Sequence, residues 1–205
     1  IIYELTSGTP QVVQIVLDIL KNIKPDISSF PYPYTSEIEK RLDEKIGNVY
    51  DENISELTEK QSKALYYICA SKRIIGGLSI DLFSDLLKEY TRKCLNELQK
   101  RGLCSFDGAT IAPASKALGK YFLKKIDTSN AKRWLKELTL AFIKKMPHNI
   151  YGCFAHISVA REQNSITNAE TEKILEKLIG LFGGLSELLL YWPEFTLKVG
   201  GELSD

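Results

Sequence analysis

One short stretch limits the fold more than any other. Asp107-Gly108 stands between Leu103-Cys104-Ser105-Phe106 and Ala109-Thr110-Ile111-Ala112. Asp-Gly between two alternating segments is a strong hairpin signal, because both turn residues tolerate positive φ. The residues before it are patterned as a helix. Over residues 91–101, Cys94, Leu95 and Leu98 fall on one face, while Arg92, Lys93, Asn96, Gln99 and Lys100 fall on the other. Gly102 supplies the stop that a glycine just past a helix commonly gives. Further upstream, residues 57–71 carry an apolar stripe at Leu57, Ala64, Leu65, Ile68 and Cys69, and Thr58 with Gln61 has the spacing of a capping box. Residues 74–77 read as a turn, and Ser79 as the cap of a short helix with Leu82, Phe83, Leu86 and Leu87 inward. Pro113 suits the first turn of a fourth helix reaching Ile126. Three helices, a two-strand hairpin and a fourth helix, in that order, are the layout of a winged helix-turn-helix over residues 57–126.

The flanking segments read as helical. Pro10 opens a helix over residues 11–23 that is apolar at Val12, Val13, Ile15, Val16, Leu17, Ile19 and Leu20, a pattern that predicts burial on most sides. A loop with Phe30, Pro31, Tyr32, Pro33 and Tyr34 follows, then a charged helix from Thr35 to about Ile46 with Ile38 and Leu42 inward. Residues 47–56 read as a polar connector. After the winged helix, residues 132–146 form an amphipathic pattern with Trp134, Leu135, Leu138, Phe142 and Ile143, and residues 149–162 a second helix. Thr167-Asn168-Ala169-Glu170 is a capping box for a third, with Ile174, Leu175, Leu178, Ile179 and Phe182 inward, broken at Gly183-Gly184. The apolar run Leu188–Trp192 either closes this tail or meets a partner. The expected fold is mainly α in three modules: a helical lid-like segment over 1–55, a winged helix over 56–128 with one small β-hairpin, and a C-terminal helical bundle over 129–205.

Charge divides along the same lines. Residues 1–56 carry a net charge of −5, residues 57–126 +7, and the remainder −1. A basic excess confined to a winged helix suggests a polyanion partner, although solvated lysines give the same count. The four cysteines, Cys69, Cys94, Cys104 and Cys153, form no C-x-x-C pair, and the histidines are only His148 and His156, so neither a metal site nor a disulfide framework is expected. Free buried thiols place the chain in the cytoplasm. His156, among Phe154, Ala155, Ile157 and Val159, is expected as a packed, hydrogen-bonded core histidine. No apolar run has the length of a bilayer span, so no membrane association is expected. The chain begins at Ile1 and its one methionine is Met146, which predicts a piece of a longer polypeptide.

The stretch Glu4-Leu5-Thr6-Ser7-Gly8-Thr9-Pro10, running into an apolar helix, resembles the Gly-x-Pro motif of STAND-type P-loop ATPases, relatives of the AAA+ machines. In that family the motif starts the helical lid behind the nucleotide-binding core. A winged helix follows, often with a further helical domain; archaeal members of the wider group also carry a winged helix after the core. The resemblance rests on Gly8-Thr9-Pro10 and on the order of modules over residues 1–126. It implies that Gly8 and Pro10 lie beside ATP or ADP held by an N-terminal core, with Pro10 against the nucleotide. The chain also departs from the family. It has no G-x-x-x-x-G-K-[ST], since Gly119-Lys120 is followed by Tyr121, and no histidine within 57–126. The chain by itself is therefore expected to be no enzyme and to hold no cofactor. On turn chemistry alone, Gly8-Thr9-Pro10 is more often an ordinary helix start, and the order of modules brings the two readings level.

The winged helix has two readings of its own. As a DNA reader, residues 91–101 would enter a major groove. Arg92 and Asn96 are of the types that read guanine and adenine edges; Lys93 and Lys100, with Lys116, Lys120, Lys124 and Lys125 beyond the hairpin, would neutralise phosphates. As a packing module, the same face is solvated and Lys93 pairs with Glu97. The expected partners are an N-terminal nucleotide-binding core, duplex DNA and a second copy of the chain.

Overall fold

The computed structural model describes residues 6, 10–23 and 34–181, and these form a mainly helical protein with one small antiparallel sheet. The chain divides into two compact units, residues 1–131 and 132–205. The lid-like and winged-helix segments share the first unit.

Helix α1, Pro10–Ile23, starts on its proline, where the missing N–H would have no helical partner. Its buried face is the stripe Val12, Val16 and Ile19, while Leu17 is 40% exposed, so the helix is amphipathic rather than buried on most sides. Helix α2, Tyr34–Lys45, packs on α1 and buries Ile38 and Leu42. Residues 47–56, expected as a connector, are instead largely helix α3, Gly47–Ser55. The reason is tertiary. Tyr50 and the preceding Ile46 are buried, and α3 packs against a later helix of the unit. Gly47 permits that approach, because a Cβ there would sit 2.9 Å from the Tyr121 hydroxyl oxygen.

The winged-helix order is present. Helix α4, Glu59–Ile75, is capped by Thr58 and Gln61 in a reciprocal capping box and ended by Gly76 at φ +87°. Strand β1, Leu78–Ser79, pairs with a later strand, and Ser79 caps helix α5, Ile80–Leu87. A single 3-10 turn, Lys88–Tyr90, leads into helix α6, Thr91–Lys100, which buries Cys94, Leu95 and Leu98. Strands β2, Cys104–Phe106, and β3, Thr110–Pro113, form the hairpin, and the sheet order is β1-β3-β2. The third strand was not foreseen, because two residues that also cap a helix leave no alternation to read. Gly77 admits it: a Cβ there would overlap the Thr110 methyl.

Pro113 ends β3 rather than opening the next helix. Ser115 caps helix α7, Lys116–Lys125, accepting the Leu118 N–H at 3.0 Å. The hairpin turn is displaced by one residue from the Asp-Gly pair. Gly108 takes φ +99°, but Asp107 keeps negative φ and uses its carboxylate to accept the N–H groups of Ala109 and Thr110 at 3.0 and 2.8 Å. Leu65, Ile68, Leu78, Phe83, Leu98, Ile111, Leu118 and Phe122 form the core of this unit, each at most 1% exposed.

The second unit contains most of helix α8, Thr128–Lys145, and helices α9, Ile150–Glu162, and α10, Asn168–Leu181. Trp134, Leu135, Leu138, Phe142 and Ile143 are buried, as their periodicity requires. Asn149 caps α9, and Thr167 with Glu170 forms the capping box of α10. In α10 only Leu178 of the expected apolar face is fully buried; Ile174, Leu175 and Ile179 are half-buried. Phe182, Gly183-Gly184, Leu188–Trp192 and the loop residues Phe30–Pro33 lie outside the described residues.

Candidate nucleic-acid interface

Helix α6 presents the face that its sequence suggests. Burial of Cys94, Leu95 and Leu98 turns Arg92, Lys93, Asn96, Gln99 and Lys100 outward, and all five are exposed. Among the described residues Lys93 makes no ion pair with Glu97. The entry to α6 is built tightly. Lys88 adopts φ +53°, and the Thr91 hydroxyl donates to the Lys88 carbonyl at 2.6 Å. Tyr90, 40% exposed, carries the Lys60 ammonium 3.5 Å above its ring centroid. Burial raises the pKa of the Cys94 thiol, opposed in part by Lys60 and then Lys93. Lys60, Lys88 and Tyr90 were not singled out from the sequence; they lie on two elements, α4 and the turn before α6, and only the fold brings Lys60 onto Tyr90.

The cations of α7 face elsewhere. Lys120 approaches Glu39 at 4.0 Å, and Lys125 pairs with Asp51 at 3.2 Å while the Tyr121 hydroxyl donates to the same carboxylate. The Tyr121 hydrogen bond and then Lys125 hold the Asp51 carboxyl below its ordinary range, and Tyr121 and Asp51 push the Lys125 ammonium upward. Arg101, at the end of α6, turns back to Glu56 at 2.8 Å and to the Asn53 carbonyl at 3.4 Å. The phosphate role expected of Lys120 and Lys125 therefore competes with carboxylates of α2 and α3. Lys116 and Lys124 are exposed on the same helix. The hairpin, residues 103–113, contains no lysine or arginine, and Asp107 at its turn is held ionised by the Thr110 and Ala109 N–H groups. Exposed cations of the first unit thus include those of α6 and its entry together with Lys116 and Lys124 of α7.

Of the two residues assigned to nucleotide contact, Gly8 lies outside the described residues, and Pro10 is exposed at the first position of α1. The acidic helices frame two shallow clefts. One, of about 430 Å³, is bounded by Asp51, Ser55, Phe122 and Lys125; the other, of about 360 Å³, by Ile19, Glu37, Arg41 and Glu44. Glu37 is paired to Arg41 at 2.6 Å and Asp51 to Lys125, so these acids are occupied within the protein.

Chemistry of other kinds has little material to work with. Among the described residues no group of three or more His, Cys, Asp and Glu is placed to hold a metal. All four cysteines are free and buried, and burial pushes the Cys104 thiol up to about 12 and the Cys153 thiol to about 11, which removes them as nucleophiles. His156 is packed but not hydrogen-bonded: its ring stacks on Phe142 with centroids 4.5 Å apart, and neither ring nitrogen has a partner among the described residues. Burial lowers its pKa to about 4. No helix among the described residues is long and apolar enough to cross a membrane.

Set against models of known protein families, curated proteins and solved structures, the chain matches none of them.

Proposed function

We propose that this chain is a non-catalytic regulatory region of a STAND/AAA+-like ATPase. Its lid-like helices and winged helix would act as one body that converts the nucleotide state of an N-terminal core into a conformational change. One observation carries the reading. Helices α2 and α3, which follow the Gly8-Thr9-Pro10 stretch, are docked on the winged helix through Glu39–Lys120, Asp51–Lys125 and Glu56–Arg101, inside a single compact unit. Pro10 stands exposed at the head of α1, where a bound nucleotide could be met. In this reading the chain works in the cytoplasm, binds ATP or ADP only together with its core, and catalyses nothing by itself. The test is Pro10→Ala in the polypeptide that includes the core. Nucleotide affinity should fall by roughly three- to tenfold, equivalent to about 0.7–1.4 kcal/mol, with the thermal midpoint unchanged; an unchanged affinity removes the proposed role.

The open face of α6 favours a second reading, a winged-helix DNA-binding regulator with residues 129–205 as a helical dimerisation domain. Arg92, Lys93, Asn96 and Lys100 are exposed together on that face. Lys93→Ala or Lys100→Ala should weaken binding alike on all duplexes and flatten the salt dependence by about one unit per lost phosphate contact. Arg92→Ala or Asn96→Ala should instead relax sequence preference by about 1–3 kcal/mol. A titration of the chain with duplex DNA across a salt series decides it, and no binding at low salt ends this reading.

A further inference from the structure

Phosphate contacts fix the register of a helix in a groove, and base contacts then specify sequence. The exposed face of α6 supplies candidates for both, but one helix leaves its own tilt undefined. A second anchor is required, and the fold narrows where it can lie. The hairpin offers no cation and one carboxylate, Asp107. On α7, Lys120 and Lys125 are turned to Glu39 and Asp51, and Lys116 and Lys124 remain exposed. Two cations stand at the entry to α6: Lys60, at the start of α4, and Lys88, in the turn before α6; both are exposed. The nearest acids in sequence are Glu59 and Glu89, each adjacent to one of these lysines.

We propose that Lys60 and Tyr90 form a phosphate-binding pair that anchors α6 on duplex DNA; this rests on the DNA-binding reading above. The Lys60 ammonium lies 3.5 Å above the Tyr90 ring centroid. That placement holds a long, mobile side chain at one point beside the entry to α6, lowering the ordering cost when a phosphate arrives. Tyr90, 40% exposed, offers its hydroxyl as a second donor. The pair bridges two elements, α4 and the turn before α6, so it also ties the position of the anchor to that of the reading face.

The experiment is binding of the whole chain to a labelled duplex of mixed sequence across a salt series, with melting curves for each variant. Lys60→Gln should reduce the slope of log affinity against log salt by about 0.9, one phosphate contact on duplex DNA. Tyr90→Ala retains the ammonium but frees it, so affinity should fall about three- to tenfold with the slope kept. Lys120→Gln, on the helix already paired to Glu39, should leave the slope as it is. If Lys60→Gln keeps the wild-type slope while the wild-type binds, the anchor is overturned and the DNA reading stands. An equal slope change in Lys120→Gln also overturns it, since charge count rather than position would then set affinity. No binding by the wild-type at low salt overturns both.

Discussion

His156 shows how a single side chain ties one unit to pH. It is wholly buried, stacked on Phe142, and without a partner at either nitrogen among the described residues. Gly152, one turn earlier on α9, makes the fit possible, since a Cβ there would overlap the same Phe142 ring. The folded imidazole therefore resists a proton until about pH 4, whereas the unfolded chain accepts one near 6.5. Between those values the unfolded state binds more protons, so stability falls as pH drops through this window and levels off below it. The full shift corresponds to about 3 kcal/mol, of which about 2 kcal/mol should be lost between pH 7 and pH 5. His156→Phe should abolish that loss. Urea unfolding at the two pH values, followed by Trp134 fluorescence in a Trp192→Phe background, measures it. Glu170, held down to about 2 by Lys136 and the Thr167 N–H, works in a separate and lower range, as pH falls from 4.5 toward 2.

At the scale of elements, the question is what holds the acidic helices in the first unit. Each exposed ion pair is worth about 0–1 kcal/mol. Burial of Ile38, Leu42, Ile46 and Tyr50, all at most 3% exposed, contributes about 1.5–3 kcal/mol each as an upper estimate. Apolar burial wins, so the ion pairs orient the contact more than they hold it. Leu42→Ala should therefore cost about 2–5 kcal/mol, and Asp51→Asn far less. Thermal melts of the two variants compare them, and a larger loss for Asp51→Asn would reverse the ranking. The same contrast explains what the sequence disclosed. Strong periodicity and cap chemistry made α4, α6, α8 and the capping boxes at Thr58 and Thr167 legible in advance. Helix α3 was not, because Gly47-Asn48 and the acids after Tyr50 have little helical pattern of their own, and contact with α7 decides their conformation. Strand β1 was hidden by its length, and the turn at Gly108 by the readiness of Asp107 to cap with its side chain. The outward face of α6 was readable because it is the complement of a buried stripe. Its neighbours Lys60 and Tyr90, and the pairing of α7 with Glu39 and Asp51, join residues far apart in the chain and needed the fold. The separation of charge between residues 1–56 and 57–126 was their one advance sign.

At the scale of the molecule, that separation has a use within the protein: negative helices lie on a positive module, and the cations of α6 stay open. A body of this kind can transmit a change at α1 to the face of α6 without a hinge between them. Spin labels at Lys40 on α2 and Gln99 on α6, both exposed, read this directly in a polypeptide that includes the proposed nucleotide-binding core. The expected result is a protein that binds nucleotide and shows one narrow inter-label distance, the same with ATP as with ADP. A distance that shifts between the two nucleotides, or a polypeptide that binds neither, would contradict a lid and winged helix moving as one.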